Sequence, residues 1–138
     1  MKRFIMLGFC FILVGCESVP VAPVILEEAM QRRFITVSQL RIGLSRGEVA
    51  GLLGKEVVTG YALTDDSSGQ YKPITVVNPQ RSEIIKKNNR IYTIDYYLVG
   101  IKVADDKISD DELVPLTFYK ERLVGIGWDF LNKHVKGQ

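Results

Sequence analysis

The sequence predicts an α+β fold in which two N-terminal helices pack on a three- to four-stranded antiparallel β-meander. Three observations predict it. Ser45-Arg46-Gly47-Glu48 is a capping-box sequence set ahead of a short apolar helical face. Beyond Asn78-Pro79 the hydrophobic period falls from helical spacing to two. Lys120-Glu121-Arg122 then separates two alternating runs closely enough to make them an antiparallel hairpin.

The first residues read as a secretory leader. Lys2 and Arg3 form a positive start, Phe4 to Val14 an apolar run broken by Gly8, and the small Gly15 stands directly before Cys16. The run is shorter than the roughly 20 apolar residues that a membrane-spanning helix needs. Leu13-Val14-Gly15-Cys16 resembles the bacterial lipobox, which implies cleavage between Gly15 and Cys16 and acylation of Cys16. The expected organisation is a signal peptide over 1–15, a lipidated cysteine with a short tether over 16–25, and one domain over 26–138. Pro20 and Pro23 restrict the residues before them, so the tether reads as extended and close to the membrane surface.

Leu26, Met30, Phe34 and Val37 follow spacings of four, four and three, which predicts a first helix. In the second helix Val49, Leu52 and Leu53 supply the apolar face, and Gly54 is placed as the C-terminal cap. Residues 60–75 are polar and turn-rich around Asp65-Asp66-Ser67-Ser68-Gly69 and read as a loop or hairpin tip. Tyr92, Ile94, Tyr96 and Leu98 alternate with Thr93, Asp95 and Tyr97; Val114, Leu116 and Phe118 alternate with Pro115, Thr117 and Tyr119. Val124, Ile126, Trp128 and Phe130 alternate with Gly125, Gly127 and Asp129, and read as the last strand. Aromatic and β-branched side chains suit such half-buried pleated surfaces.

Charge and cysteine count exclude several classes. Of the 18 basic side chains, Lys2 and Arg3 lie in the leader, so the processed chain carries 16 against 16 acidic ones and has no net charge. No nucleic-acid partner is expected on that balance. Cys10 lies in the leader, so Cys16 is the single cysteine after processing and is capped by lipid. Cysteine catalysis, disulfides and cysteine metal sites are thereby excluded from the expectation.

Leu44-Ser45-Arg46-Gly47-Glu48-Val49-Ala50-Gly51-Leu52-Leu53-Gly54 resembles the G-M-[ST]-x-x-x-V-x-x-L-L-G segment of the SmpA/OmlA (BamE-like) lipoprotein family, with leucine in the methionine place. Asn78-Pro79-Gln80-Arg81-Ser82-Glu83, Tyr96-Tyr97, Asp110 to Leu113, Pro115 to Phe118 and Leu123 to Trp128 resemble its small envelope-lipoprotein relatives. Two departures stand out: Lys55 sits where the family often has proline, and Glu121 where the final hairpin usually turns on glycine. The resemblance implies a non-catalytic module anchored in the outer membrane and binding an envelope protein; the best-known member is an accessory subunit of the machinery that folds β-barrels. Glu17 after Cys16, rather than aspartate, points by the usual sorting rule to the outer membrane. A related helix-plus-sheet fold serves β-lactamase inhibitors, so inhibition of a periplasmic hydrolase is the alternative expectation.

Candidate chemistry is sparse. His134 stands among lysines near the C-terminus, without a serine or cysteine motif beside it. No metalloprotease, hydrolase or nucleotide fingerprint occurs, and neither enzyme activity, cofactor nor metal is expected. Asp105, Asp106, Asp110, Asp111 and Glu112 crowd one stretch but lack calcium-loop spacing and its glycine, so they read as turn caps or an acidic edge. Arg81, Lys86, Lys87 and Arg90 form a basic cluster at strand ends, open to lipid headgroups or an acidic partner. Gly125 and Gly127, at spacing two, predict a bulge or a close backbone approach, and on the functional reading a flat patch, which Tyr97 and Tyr119 would extend on the less buried sheet face; these four are the candidate partner-binding residues.

Overall fold

Two antiparallel sheets and three helices make the fold α+β. The computed structural model describes residues 22–64, 69–101 and 107–137. In chain order the elements are α1 (Ala22–Ser38), α2 (Arg46–Leu53), β1 (Glu56–Leu63), β2 (Tyr71–Val77), β3 (Arg81–Lys87) and β4 (Arg90–Leu98). A single 3₁₀ turn (Asp110–Glu112) leads into β5 (Leu113–Tyr119) and β6 (Arg122–Ile126). Then α3 (Gly127–Phe130) runs directly into a π-type segment (Leu131–Lys136). The helices are thus not all N-terminal, because this third one follows the last strand.

The capping box at α2 forms as the sequence predicts. Ser45 Oγ accepts from the backbone N–H of Glu48 at 3.2 Å, and the Ser45 N–H donates to Glu48 Oε2 at 2.7 Å. Both groups would otherwise be orphaned at the helix start. The Gly54 N–H closes the other end on Ala50 O. The expected apolar faces need correction at two places. Val49 and Leu53 are buried, but Leu52 is 56% exposed. On α1 the covered stripe runs through Met30 and Val37, while Phe34 is 67% exposed. At 3.6 residues per turn Phe34 lies about 60° round the helix from Val37, which puts it on the outer shoulder of that stripe.

β3, β4, β5 and β6 form a four-stranded meander in that order. Both of its tight turns have two residues with positive φ, Asn88 and Asn89 (49° and 61°) and Lys120 and Glu121 (48° and 59°). Positive φ at both central positions is the type I′ requirement, which matches the twist of the flanking strands. The Glu121 departure therefore leaves the hairpin geometry intact and loads it with two non-glycine residues in left-handed backbone.

Residues 60–75 are not one loop. Glu56–Leu63 and Tyr71–Val77 pair as a separate β1–β2 hairpin, whose tip falls in the expected turn-rich region; Asp65–Ser68 lie outside the described residues. Polar and exposed positions along both strands mask the alternation, because Tyr71 to Thr75 all face solvent. Asn78-Pro79, a cis peptide bond, joins this hairpin to β3.

The four-stranded sheet is covered on both faces. Tyr97, Leu116, Phe118 and Leu123 meet Val37, Leu40, Val49 and Leu53 of the α1–α2 region on one face. Ile94, Tyr96, Leu98 and Leu113 meet Leu131 and Val135 of the C-terminal helix on the other, with Val57 at the root of β1. This explains the failure of the expected final strand. β6 ends at Ile126, Gly127 takes φ +86°, and Trp128 and Phe130 belong to a helix that folds back over the sheet. Alternation over Val124–Phe130 was a coincidence of a short strand and one helical turn.

Candidate functional site

Cys16 and Gly15, on which the anchoring expectation rests, lie outside the described residues. The four candidate partner-binding residues fall in different places. Tyr97 is 1% exposed and packs in the α1–α2 core, so its expected position on a less buried face available to a partner is corrected. The cause is the second helical layer: with both sheet faces covered, a tyrosine on either face of β4 is buried. Gly125 is also buried, against Phe130, and a Cβ placed there would stand 1.9 Å from Phe130 Cδ1. The close approach predicted for that glycine is real, but its partner is the protein's own helix. Gly127 is half-buried at the start of α3, off the strand face it was expected to share.

Tyr119 keeps partial exposure at the end of β5. Its ring lies 5.6 Å from that of Tyr92, and Arg90 Cζ and Lys120 Nζ each stand 5.5 Å from its centroid. Cations over a ring face gain from its quadrupole, so this end of the sheet is a cationic, aromatic corner. Tyr119 and Gly127 sit at opposite ends of the β5–β6 pair and do not form one patch.

The best-organised polar group is one the sequence did not single out. Asp95, 1% exposed in the middle of β4, accepts from Arg46 Nε at 2.6 Å and Nη2 at 2.8 Å, and from Ser82 Oγ at 2.5 Å. The bidentate guanidinium–carboxylate geometry is the strong form of such a pair. Arg46 is held above its ordinary pKa by the Asp95 hydrogen bond, against the opposing effect of its own burial. The Arg46 backbone N–H also donates to Glu121 O at 3.0 Å. The group locks the first turn of α2 onto β4 and the β5–β6 turn. A charged residue in the middle of an aromatic strand was the available signal.

A second cluster lies on the opposite sheet face. Arg81 Cζ stands 4.1 Å over the Tyr96 ring and its guanidinium pairs with Asp110 at 2.8 Å, while the Tyr96 hydroxyl donates to Glu83. Burial, then the Glu83 hydrogen bond, pushes Tyr96 up to about 12. Lys87 Nζ donates to His134 O at 3.0 Å, and the His134 ring stacks on Phe130 at 4.7 Å. Two members of the expected basic cluster, Arg81 and Lys87, thus make contacts within the fold.

Of the acidic stretch, Asp105 and Asp106 lie outside the described residues. Ser109 donates from its N–H to Glu112 Oε2 at 2.9 Å, so the remainder caps its own turn. Among the described residues no group of three His, Cys, Asp or Glu side chains is arranged to hold a metal ion, and no helix is long and apolar enough to cross a membrane.

Between α1 and α2 runs a shallow groove of about 170 Å³ lined by Ala29, Arg32, Arg33, Thr36, Leu52 and Leu53. Arg33 Nη1 donates to Leu53 O at 2.7 Å, one of the carbonyls left open at the end of α2, and burial lowers its pKa. Phe34, Ile35 and Ile42 stand exposed on the helical side and Ile84 and Ile91 on the sheet. Exposed apolar side chains of this size can contribute contact area to a partner surface.

Compared with known proteins, the chain matches no protein-family model, no curated protein and no solved structure.

Proposed function

We propose that the protein is an outer-membrane lipoprotein of the periplasm, anchored through acyl chains on Cys16, whose domain is a non-catalytic module that binds an envelope protein. The observation that carries this reading is the leader with Leu13-Val14-Gly15-Cys16 at its end, where a small residue precedes the cut and a thiol follows it. Two or three acyl chains hold a protein stably where one binds only marginally. The α2 capping-box segment followed by a four-stranded meander supports a BamE-like arrangement of the domain. The exposed apolar side chains Phe34, Ile35 and Leu52 supply the contact area that a binding module needs.

Metabolic labelling with a radioactive fatty acid tests the anchor: wild-type protein takes up label and Cys16→Ser does not. An unlabelled wild type refutes it. In-cell photocrosslinking from Phe34 and Leu52 tests the module, and a reproducible envelope adduct lost on Leu52→Asp is the expected result. If inhibition of a periplasmic hydrolase survives in Cys16→Ser, the inhibitor reading replaces the envelope-binding one.

A further inference from the structure

The two edges of the four-stranded sheet are treated differently. The chain over 43–46 covers the β6 edge: the Gly43 N–H donates to Leu123 O at 2.8 Å, the Leu123 N–H donates to Leu44 O at 2.8 Å, and Ser45 bridges Arg122. On the outer side of β3 no strand is paired among the described residues. β3 is a regular seven-residue strand without a bulge or an internal proline, and Ile84 at its centre is 73% exposed. Ile91 of β4, diagonal to Ile84 across the register, is 59% exposed. An open edge with an apolar centre is a template for another strand.

The charges on β3 state which strand. Written through the edge, the sequence is Arg81-Ser82-Glu83-Ile84-Ile85-Lys86-Lys87. Antiparallel pairing with a second copy about a two-fold axis places residues opposite each other symmetrically about the axis. An axis at Ile84 opposes Arg81 to Lys87, an axis at Glu83 opposes Glu83 to itself, and an axis at Lys86 opposes Lys86 to itself. Like charges directly opposite are destabilising. An axis at Ile85 instead sets Glu83 against Lys87 of the second copy, twice over, and Ile84 against the aliphatic stem of Lys86. It also makes the two Ile84 side chains diagonal neighbours on the face where they are exposed. Glu83 already contacts Tyr96 and Lys136, and Lys87 contacts His134 O, but a carboxylate and an ammonium each retain bonding positions for a further partner.

We propose that β3 is a self-complementary edge through which two copies of this chain pair antiparallel about Ile85, joining their sheets into one. The pairing is independent of the anchoring reading, which the fatty-acid label tests separately.

Two differently tagged full-length copies, produced together in one envelope and solubilised in mild detergent, test it by co-purification. Wild-type copies co-purify. Glu83→Lys with itself and Lys87→Glu with itself lose the association at least tenfold, because each opposes like charges at both ends. Glu83→Lys mixed with Lys87→Glu recovers it, since the exchanged charges again meet their opposites; that recovery also shows that both variants fold. Ile84→Asp, at an exposed position, abolishes it. Wild-type copies that fail to co-purify overturn the proposal, as does a mixed pair no better than either variant alone. A photocrosslink from position 84 that joins only a different protein overturns it too, and assigns the edge to that protein.

Discussion

Asp95 concentrates what single residues do in this molecule. Its carboxylate is nearly fully buried, and Arg46 is the cation that satisfies it. A buried pair adds little net stability over apolar packing, but removing one partner strands the other. Asp95→Ala is expected to cost about 3 kcal/mol in chemical denaturation, towards the lower end for such pairs because Arg46 is partly solvated. Neighbouring Tyr97 shows how burial enters a titration. Burial, then the Asp95 charge, raises its hydroxyl to about 12, and Tyr96 is raised similarly on the other face. An acid whose neutral form is favoured by folding binds its proton longer in the native state, so the associated stability is complete below about pH 10 and is lost as pH rises towards 12. Absorbance titration should find these two phenols ionising together with unfolding, and the Tyr97→Phe variant should lose less stability over that interval. The sequence placed Tyr96 on a buried face correctly and Tyr97 on an open one incorrectly. Strand alternation reports which residues share a face, and it is silent about whether a second layer covers the other.

Elements were legible where local chemistry is self-contained. Ser45 and Glu48 cap each other within one turn, so α2 could be read without tertiary information. Ser45→Ala is expected to lower stability by about 1 kcal/mol in denaturant titration. The two-residue turns were legible as hairpins but not in their strain. Lys120 and Glu121 adopt left-handed backbone at a cost of roughly 1 kcal/mol each relative to the best-suited residues. Replacing them with Asn-Gly should therefore raise the unfolding midpoint, by about 1 kcal/mol in total once the entropy of glycine is subtracted. The tip of the β1–β2 hairpin is legible in the turn-rich residues, but its strands are not, because β2 carries so few buried positions. The last strand was extended through Phe130 because glycine at 125 and 127 kept the alternation formally intact. Gly125 supplies the test: Gly125→Ala drives a methyl into the Phe130 ring, and an overpacking cost of about 1–3 kcal/mol follows. Gly51→Ala, where added carbon meets nothing within 4 Å, is the control and should be neutral or slightly stabilising.

At the scale of the molecule the fold is a sandwich of helix, sheet and helix drawn from both ends of the chain. Its class was legible, because capping, period and hairpin signals all agree on helices with an antiparallel sheet. Its layering was not, since which helix covers which face is decided by contacts such as Leu131 and Val135 on Ile94 and Leu98, far apart in sequence. The candidate site divides the same way. The resemblance to a lipobox rests on four adjacent residues, Leu13 to Cys16, whereas a binding face depends on what the completed fold leaves uncovered. The patch expected around Tyr97 and Gly125 is interior, and the apolar positions that stay outside include Phe34, Leu52, Ile84 and Ile91.

The helical segment over 127–136 decides whether the second sheet face is closed. It follows β6 in the chain, so the described strands precede the layer that covers them on that side. Without it, Tyr96, Leu98 and Leu113 lose Leu131 and Val135 and keep only part of their cover, from Val57, Met30 and Val76. A variant truncated after Ile126 should bind a hydrophobic dye and be cleared rapidly from cells, although it retains the six described strands. The segment thus acts as a latch, because its Leu131 and Val135 seal the second sheet face against water.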